Sequence, residues 1–219
     1  SRGESTQERP RWSHSGHNYK VAELVKYHTS RDSHRCLVAE EEDKGGDKKG
    51  HFKAVPYIVQ CPAKGERIPS TTFTKMTENG PEPVSSDDYF SGKTVAIFSV
   101  PGAFTPTCSA KHLPGFIEKA DALKAKGVDE IACTAVNDAF VMGAWGKSAG
   151  ADEKVTMLAD GNGDFAKAVG LTMDGTKFGL GTRGQRFSMI VKDGVVEDLN
   201  VEEPGDFKVS SAEYMLEKL

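Results

Sequence analysis

The stretch Pro101-Gly102-Ala103-Phe104-Thr105-Pro106-Thr107-Cys108 constrains this chain more than any other. It follows Thr94-Val95-Ala96-Ile97-Phe98-Ser99-Val100, a β-branched and aromatic run that reads as a buried strand. It precedes Ser109 to Lys126, where Leu113, Phe116, Ile117, Ala120 and Leu123 recur at helical spacing. Cys108 is therefore predicted where a strand and loop give way to a helix, with Thr107 as the N-cap. A thiol in a first helical turn meets unpaired backbone N–H groups and the positive end of the helix dipole. Both favour the thiolate, which is the reactive form. Pro101 and Pro106 stiffen the loop that presents it. The expectation is an accessible nucleophile rather than the inert core thiol that cysteine commonly is.

The rest of the chain divides in two. With 219 residues there is room for one good-sized domain and an appendage. Residues 1–63 form a polar leader that holds five of the six histidines and the charged run Glu40 to Gly50, which cannot bury a core. The leader is predicted to be largely unstructured, with one or two short amphipathic turns over Val21, Leu24, Val25 and His28. It lacks the apolar centre of a secretory signal, and Glu4, Glu8 and Glu23 speak against a transit peptide. His14, His17, His34 and Cys36 match no standard zinc-finger spacing, so no metal is expected. Because it opens on Ser1, the sequence reads as a processed form or a fragment.

Residues 64–219 carry the globular pattern. Thr71 to Met76 alternates as an exposed strand, Asn79-Gly80-Pro81 turns, and Ser85 to Phe90 forms one helical turn. Val128 to Val136 reads as a second buried strand, and Asn137-Asp138 caps a helix carrying Phe140, Val141, Ala144 and Trp145. Val155 to Ala159 is a short strand and Asp164 to Val169 a short helix. Lys177 to Gly184 is a Gly-rich loop. Arg186 to Val191 and Val195 to Asn200 form a hairpin through Asp193-Gly194. A helix capped by Ser210 or Ser211 closes the chain. Alternating strands and helices followed by a hairpin and a helix give an α/β sandwich.

Composition narrows the function. A net charge of −4 and the lack of a strongly basic stretch argue against nucleic acid or an anionic membrane as partner. No apolar run is long enough to span a bilayer. Four cysteines in such a chain suit a reducing compartment where single thiols do chemistry, not a disulfide scaffold. The expected location is cytoplasmic, with a mitochondrial or other organelle matrix as the alternative. A Cys–His hydrolase needs a distant base oriented by a third group, yet His112 is the one histidine of the globular part. A dithiol shuttle needs Cys-x-x-Cys, yet Thr105 and Lys111 flank Cys108 at that spacing.

The pattern Pro-x-x-x-Thr-x-x-Cys, here Pro101, Thr105 and Cys108, resembles the active-site signature of the peroxiredoxins. The longer string PGAFTPTCSAKHLPGF is similar to the type II, or fifth-class, members. The likeness continues through VNDAFVMGAWGK, LADGNGDFAK and RFSMIVKDG and covers roughly residues 64–219. It implies a thioredoxin-like fold with a mixed central sheet flanked by helices. It implies a thiol peroxidase for hydrogen peroxide and alkyl hydroperoxides, with Cys108 as nucleophile and no cofactor. Thr105 would contact both the thiolate and the peroxide, and backbone N–H groups from Phe104 to Cys108 would add donors. Arg186, which opens the RFSM strand, matches the family's active-site arginine, since a guanidinium stabilises a thiolate and holds a peroxide. Pro101, Phe104, His112 and Arg183 are candidate pocket residues, His112 because it lies four residues after Cys108 on the same helix face.

Recycling is less constrained. A sulfenic acid must be reduced by another thiol. Cys133 matches the cysteine of some plant-like type II members and is the candidate resolving thiol, though its apolar strand equally suits a packed core thiol. Animal-type members use a cysteine near the C-terminus, where this chain has Ser210-Ser211. A one-cysteine cycle with glutathione and glutaredoxin, or thioredoxin, is therefore expected. The resemblance also implies a homodimer and a role in antioxidant defence. The alternative is a thioredoxin-fold redox-signalling or binding module with little turnover.

Overall fold

Alternation along Thr94–Ser99 sends Ala96 and Phe98 into one buried cluster and Val95 and Ile97 into another. A strand buried on both faces must be apolar throughout, which is why the sequence here shows no polar alternation. The computed structural model describes residues 28–30, 33–38 and 57–219, with side chains from residue 61 onward.

In the leader, β1 (His28–Ser30), β2 (Ser33–Val38) and β3 (Tyr57–Gln60) pair antiparallel in that order. These strands fall in a stretch expected to be unstructured. The turn expected over Val21, Leu24 and Val25, and the side chains of His14, His17, His34 and Cys36, lie outside the described residues.

The domain continues with β4 (Thr72–Thr77), β5 (Gly80–Ser85), α1 (Ser86–Phe90) and β6 (Thr94–Ser99). A π-helical turn over Cys108–His112 leads into α2 (Leu113–Glu118) and α3 (Ala120–Ala125). Next come β7 (Glu130–Ala135), α4 (Ala139–Ala149), β8 (Thr156–Ala159) and α5 (Asp164–Ala168). The chain ends with β9 (Thr172–Asp174), β10 (Thr182–Gly184), β11 (Phe187–Lys192), β12 (Val195–Val201) and α6 (Ala212–Lys218). Seven strands form a mixed sheet in the order β12-β11-β6-β7-β8-β4-β5, with β6, β7 and β8 parallel. This is the thioredoxin-like sheet flanked by helices that the sequence implies. Asp193 (φ 47°) and Gly194 (φ 76°) both take the left-handed conformation, as a two-residue hairpin turn between β11 and β12 requires.

Side chains from α2, α3, α4 and α6 pack with Phe98, Cys133 and Ile190 on one face of the sheet. Phe73, Phe90, Phe165 and Phe187 join the cluster on the other. Phe98 stacks on Phe116 with ring centroids 4.0 Å apart, which ties α2 to the middle of β6. Burying each such side chain stabilises the fold by about 1.5–3 kcal/mol.

Two local features go beyond the sequence reading. α4 buries Ala139, Met142, Trp145 and Gly146, whereas Phe140 is 67% exposed. The helix sits against β4 and β8 through its glycines: a Cβ on Gly143 would come 2.8 Å from Met76 Cβ, and one on Gly146 2.7 Å from Met157 Cγ. Close approach, not side-chain size, therefore selects the buried face. The loop expected over Lys177–Gly184 is also partly ordered, because β10 pairs with β9 beyond a 3-10 turn at Thr176–Phe178.

Candidate active site

The loop after β6 and the residue before β11 lie at one end of the sheet, since Phe187 pairs with Ser99. That end is the carboxyl end of the parallel strands, where open α/β sheets form their ligand sites. Asn137, just past β7, joins it by accepting the Ala103 N–H at 2.9 Å. The helical turn begins at Pro106, and Thr107 makes no side-chain cap, so the capping expectation fails. Instead the Ser109 N–H donates to the Thr105 carbonyl at 3.0 Å. The turn from Cys108 is a π turn, closed by the Leu113 N–H on the Cys108 carbonyl, a distortion that recurs at functional sites. Trp145 Nε1 donates to Ser109 Oγ at 3.0 Å and fixes this turn to α4.

Cys108 has no exposed surface, contrary to the accessible thiol that the sequence predicts. It is packed in the cluster with Phe98, Leu113 and Phe116, under the partly buried Ala103. The sulfur nevertheless has a polar neighbour. Arg186 Nη2 donates to Sγ at 3.3 Å, and Nη1 donates to His112 Nδ1 at 2.9 Å. His112 Nε2 donates in turn to the Ser210 carbonyl at 2.9 Å. Both contacts require the Nε2–H tautomer of a neutral imidazole. Burial, reinforced by the Arg186 charge, lowers the His112 pKa to about 3, so the ring is neutral at ordinary pH. The structure thus brings Cys108, Arg186 and His112 together.

Thr105 donates its hydroxyl to the Gly102 carbonyl at 2.7 Å, so in this arrangement the hydroxyl oxygen is left as an acceptor. Phe104 takes φ 62°, a conformation that costs energy for a residue with a Cβ and often marks a functional loop. Its ring is 55% exposed and 6.5 Å from that of Trp145. Pro101 is half-buried at the start of the loop. Arg183 donates to the carbonyls of Leu180 at 2.8 Å and Val136 at 3.2 Å. It braces three loops, because a Cβ on Gly102 would also lie 3.3 Å from its Nη1.

Cys133 is fully buried in β7, in the same cluster as Cys108. Burial first, and then the neighbouring Cys108, push its thiol pKa up, which suppresses the thiolate a resolving residue needs. Cys61, Cys108 and Cys133 are not joined by a disulfide. Among the described residues no cluster of His, Cys, Asp and Glu could hold a metal, and no helix is long and apolar enough to cross a membrane. A cavity of about 530 Å³ lies at the opposite end of the parallel strands, lined by Glu130, Gly146, Lys154 and Thr156 among others. Neither Cys108, Thr105, Arg186, His112 nor Cys133 lines it.

Sequence reasoning missed Glu202 and Phe207. Glu202, 6% exposed, accepts from three donors in the turn before α6. Phe207 places its ring 4.9 Å from His112 and 5.8 Å from the Arg186 guanidinium carbon. Nothing local in Glu202-Glu203-Pro204-Gly205 marks one acid as buried.

Comparison with known proteins agrees with this geometry. The Redoxin family matches residues 63–216. Peroxiredoxin-2E-2, a chloroplastic protein of Oryza sativa, is 48% identical over an alignment of 167 residues that covers 74% of each chain. Peroxiredoxin-2B of Arabidopsis thaliana is 48% identical over 158 residues, 72% of this chain and 98% of that one. The structure of reduced Prx3 from Vibrio vulnificus in complex with hydrogen peroxide superposes with a TM-score of 0.69 at 52% identity, covering 71% of this chain and 98% of that one. The chain belongs to the redoxin family and is a type II peroxiredoxin, a thiol peroxidase of the thioredoxin fold.

Proposed function

We propose that Cys108 is the peroxide-reducing nucleophile and that Arg186 and Thr105 hold the peroxide against it. The observation that carries this reading is the 3.3 Å contact from Arg186 Nη2 to Cys108 Sγ. A guanidinium there stabilises negative charge on sulfur before the reaction and on the departing oxygen during it. Thr105, its proton committed to Gly102, accepts a hydrogen bond from the peroxide O–H. The thiolate attacks one peroxide oxygen, forming an S–O bond as the O–O bond breaks. The other oxygen leaves as hydroxide or alkoxide and takes up a proton. Cys108 is then a sulfenic acid, and two reducing equivalents from thiols return it to the thiol with release of water.

We assign the recycling to an external thiol, glutathione with glutaredoxin or thioredoxin, and Cys133 to the core. The raised pKa and full burial of Cys133 support this. His112 acts by holding Arg186, Arg183 by bracing the loops, and Pro101 and Phe104 by shaping the loop over the sulfur. The exposed rings of Phe104, Phe140 and Phe178 support a homodimer, since burying large apolar side chains favours association. For location we propose a reducing compartment, either the cytoplasm or an organelle matrix; the rice relative named above is chloroplastic. Residues 64–219 constitute the catalytic domain.

The test is steady-state consumption of hydrogen peroxide and of an alkyl hydroperoxide by the intact protein. Turnover is expected with glutathione plus glutaredoxin or with thioredoxin, and none with Cys108→Ser. One stoichiometric burst that no reductant sustains would make the protein a signalling module instead.

A further inference from the structure

Glu202 lies just past the end of β12 and is nearly fully buried. A buried carboxylate is costly to desolvate and persists where donors converge on it. The donors here come from one turn. Oε1 accepts from the Lys208 N–H at 2.6 Å, the Ser210 N–H at 2.8 Å and Ser210 Oγ at 2.9 Å. The Glu202 backbone N–H donates to the Arg186 carbonyl at 3.0 Å. One residue therefore anchors the main chain of the active-site arginine and folds residues 203–210 around its carboxylate.

That turn has a chemical consequence. It delivers the Ser210 carbonyl to His112 Nε2 at 2.9 Å. A neutral imidazole carries one N–H. With that N–H committed to Ser210, the Nδ1 lone pair faces Arg186 Nη1 at 2.9 Å, and Nη2 is left on Cys108. The other tautomer would set an N–H against the guanidinium N–H and push the arginine away. The carbonyl of Ser210 thus selects the ring form that draws Arg186 in, and Glu202 places that carbonyl.

We propose that Glu202 is a positioning residue for peroxide reduction, acting through the Ser210 carbonyl and the tautomer of His112 to aim Arg186 at Cys108. The proposal rests on the roles of Cys108 and Arg186 argued above.

The test follows peroxide reduction by the intact reduced protein in single turnover, with tryptophan fluorescence as signal. Glu202→Ala should slow the second-order step by about tenfold, since small misplacement of a catalytic group has costs of this order. Glu202→Gln, whose amide oxygen can accept from the same donors, should stay within about threefold of the unaltered protein. In a His112→Ala background, Glu202→Ala should add less than about twofold, because the path runs through the imidazole. Histidine ¹⁵N NMR should show a slowly exchanging His112 Nε2–H in the unaltered protein and Glu202→Gln, lost in Glu202→Ala. A folded Glu202→Ala with the original rate, or an equal penalty with and without His112, overturns the proposal. If Glu202→Ala does not fold, Ser210→Ala removes one of the three bonds. It should slow the step about threefold, and only when His112 is present; an unchanged rate overturns the proposal. The NMR arm needs no turnover, so an inactive parent protein would strike the roles of Cys108 and Arg186 without deciding the link from Glu202 to His112.

Discussion

Arg186 donates to His112 Nδ1 over 2.9 Å, a neutral ring where a carboxylate would be the commoner partner for a partly buried arginine. A carboxylate would neutralise the guanidinium. An imidazole orients it and leaves its full charge for the sulfur at 3.3 Å. Losing that charge should be costly. Arg186→Ala is expected to slow peroxide reduction by about 100-fold, the scale of one charge-assisted hydrogen bond of about 2–3 kcal/mol. Stopped-flow kinetics at saturating reductant measures it, and a loss under threefold would refute the role.

Stability should fall with acid through His112. The unfolded ring takes a proton below about pH 6.5, whereas the folded ring does so only near 3. Between these values the unfolded state binds the extra proton, so stability drops as pH falls, by up to about 1.4 kcal/mol per unit. Urea melts from pH 7.5 to 4.5 should show this slope, and His112→Asn should flatten it.

Gly102→Ala tests the loop. The new methyl would lie 3.1 Å from Thr105 Cγ2 and 3.3 Å from Arg183 Nη1, so the threonine or the arginine must shift. Peroxide reduction is expected to slow about tenfold with little change in melting temperature. Unchanged kinetics would show that the loop gives way without moving Thr105.

Cys133→Ala should leave glutathione-linked turnover within about twofold while lowering stability by roughly 1 kcal/mol through the small cavity left behind. Loss of turnover with accumulation of sulfenic acid would make Cys133 the resolving thiol.

Deleting residues 1–60 should leave peroxide turnover and melting temperature in place, because the paired strands of the leader form a sheet of their own. A fall in melting temperature beyond about 4 °C, roughly 1 kcal/mol for a domain of this size, would show that the leader packs on the rest of the chain.

The site was legible where chemistry is local. The apolar run of β6, the prolines and Cys108 are neighbours in the chain, and their spacing alone sets a thiol at the head of a helix. Arg186 was legible only through resemblance, since an arginine before a strand is ordinarily a solvated charge. His112 could be placed on the helix face but not given a partner. Glu202 was illegible, because its burial depends on a turn that folds back from residues 203–210. The buried face of α4 was not legible for a similar reason: Gly143 and Gly146 dock it on β4 and β8, and that docking leaves Phe140 in water. Thr107 failed as a cap because the helical turn begins one residue earlier, at Pro106.

Cys108 presents no surface to solvent, so any reactant, small or large, meets the sulfur only when its neighbours give way. On the role proposed for Cys108, a protein thiol reaches the sulfur only after the side chains packed on it have moved, so regeneration carries the cost of that local opening.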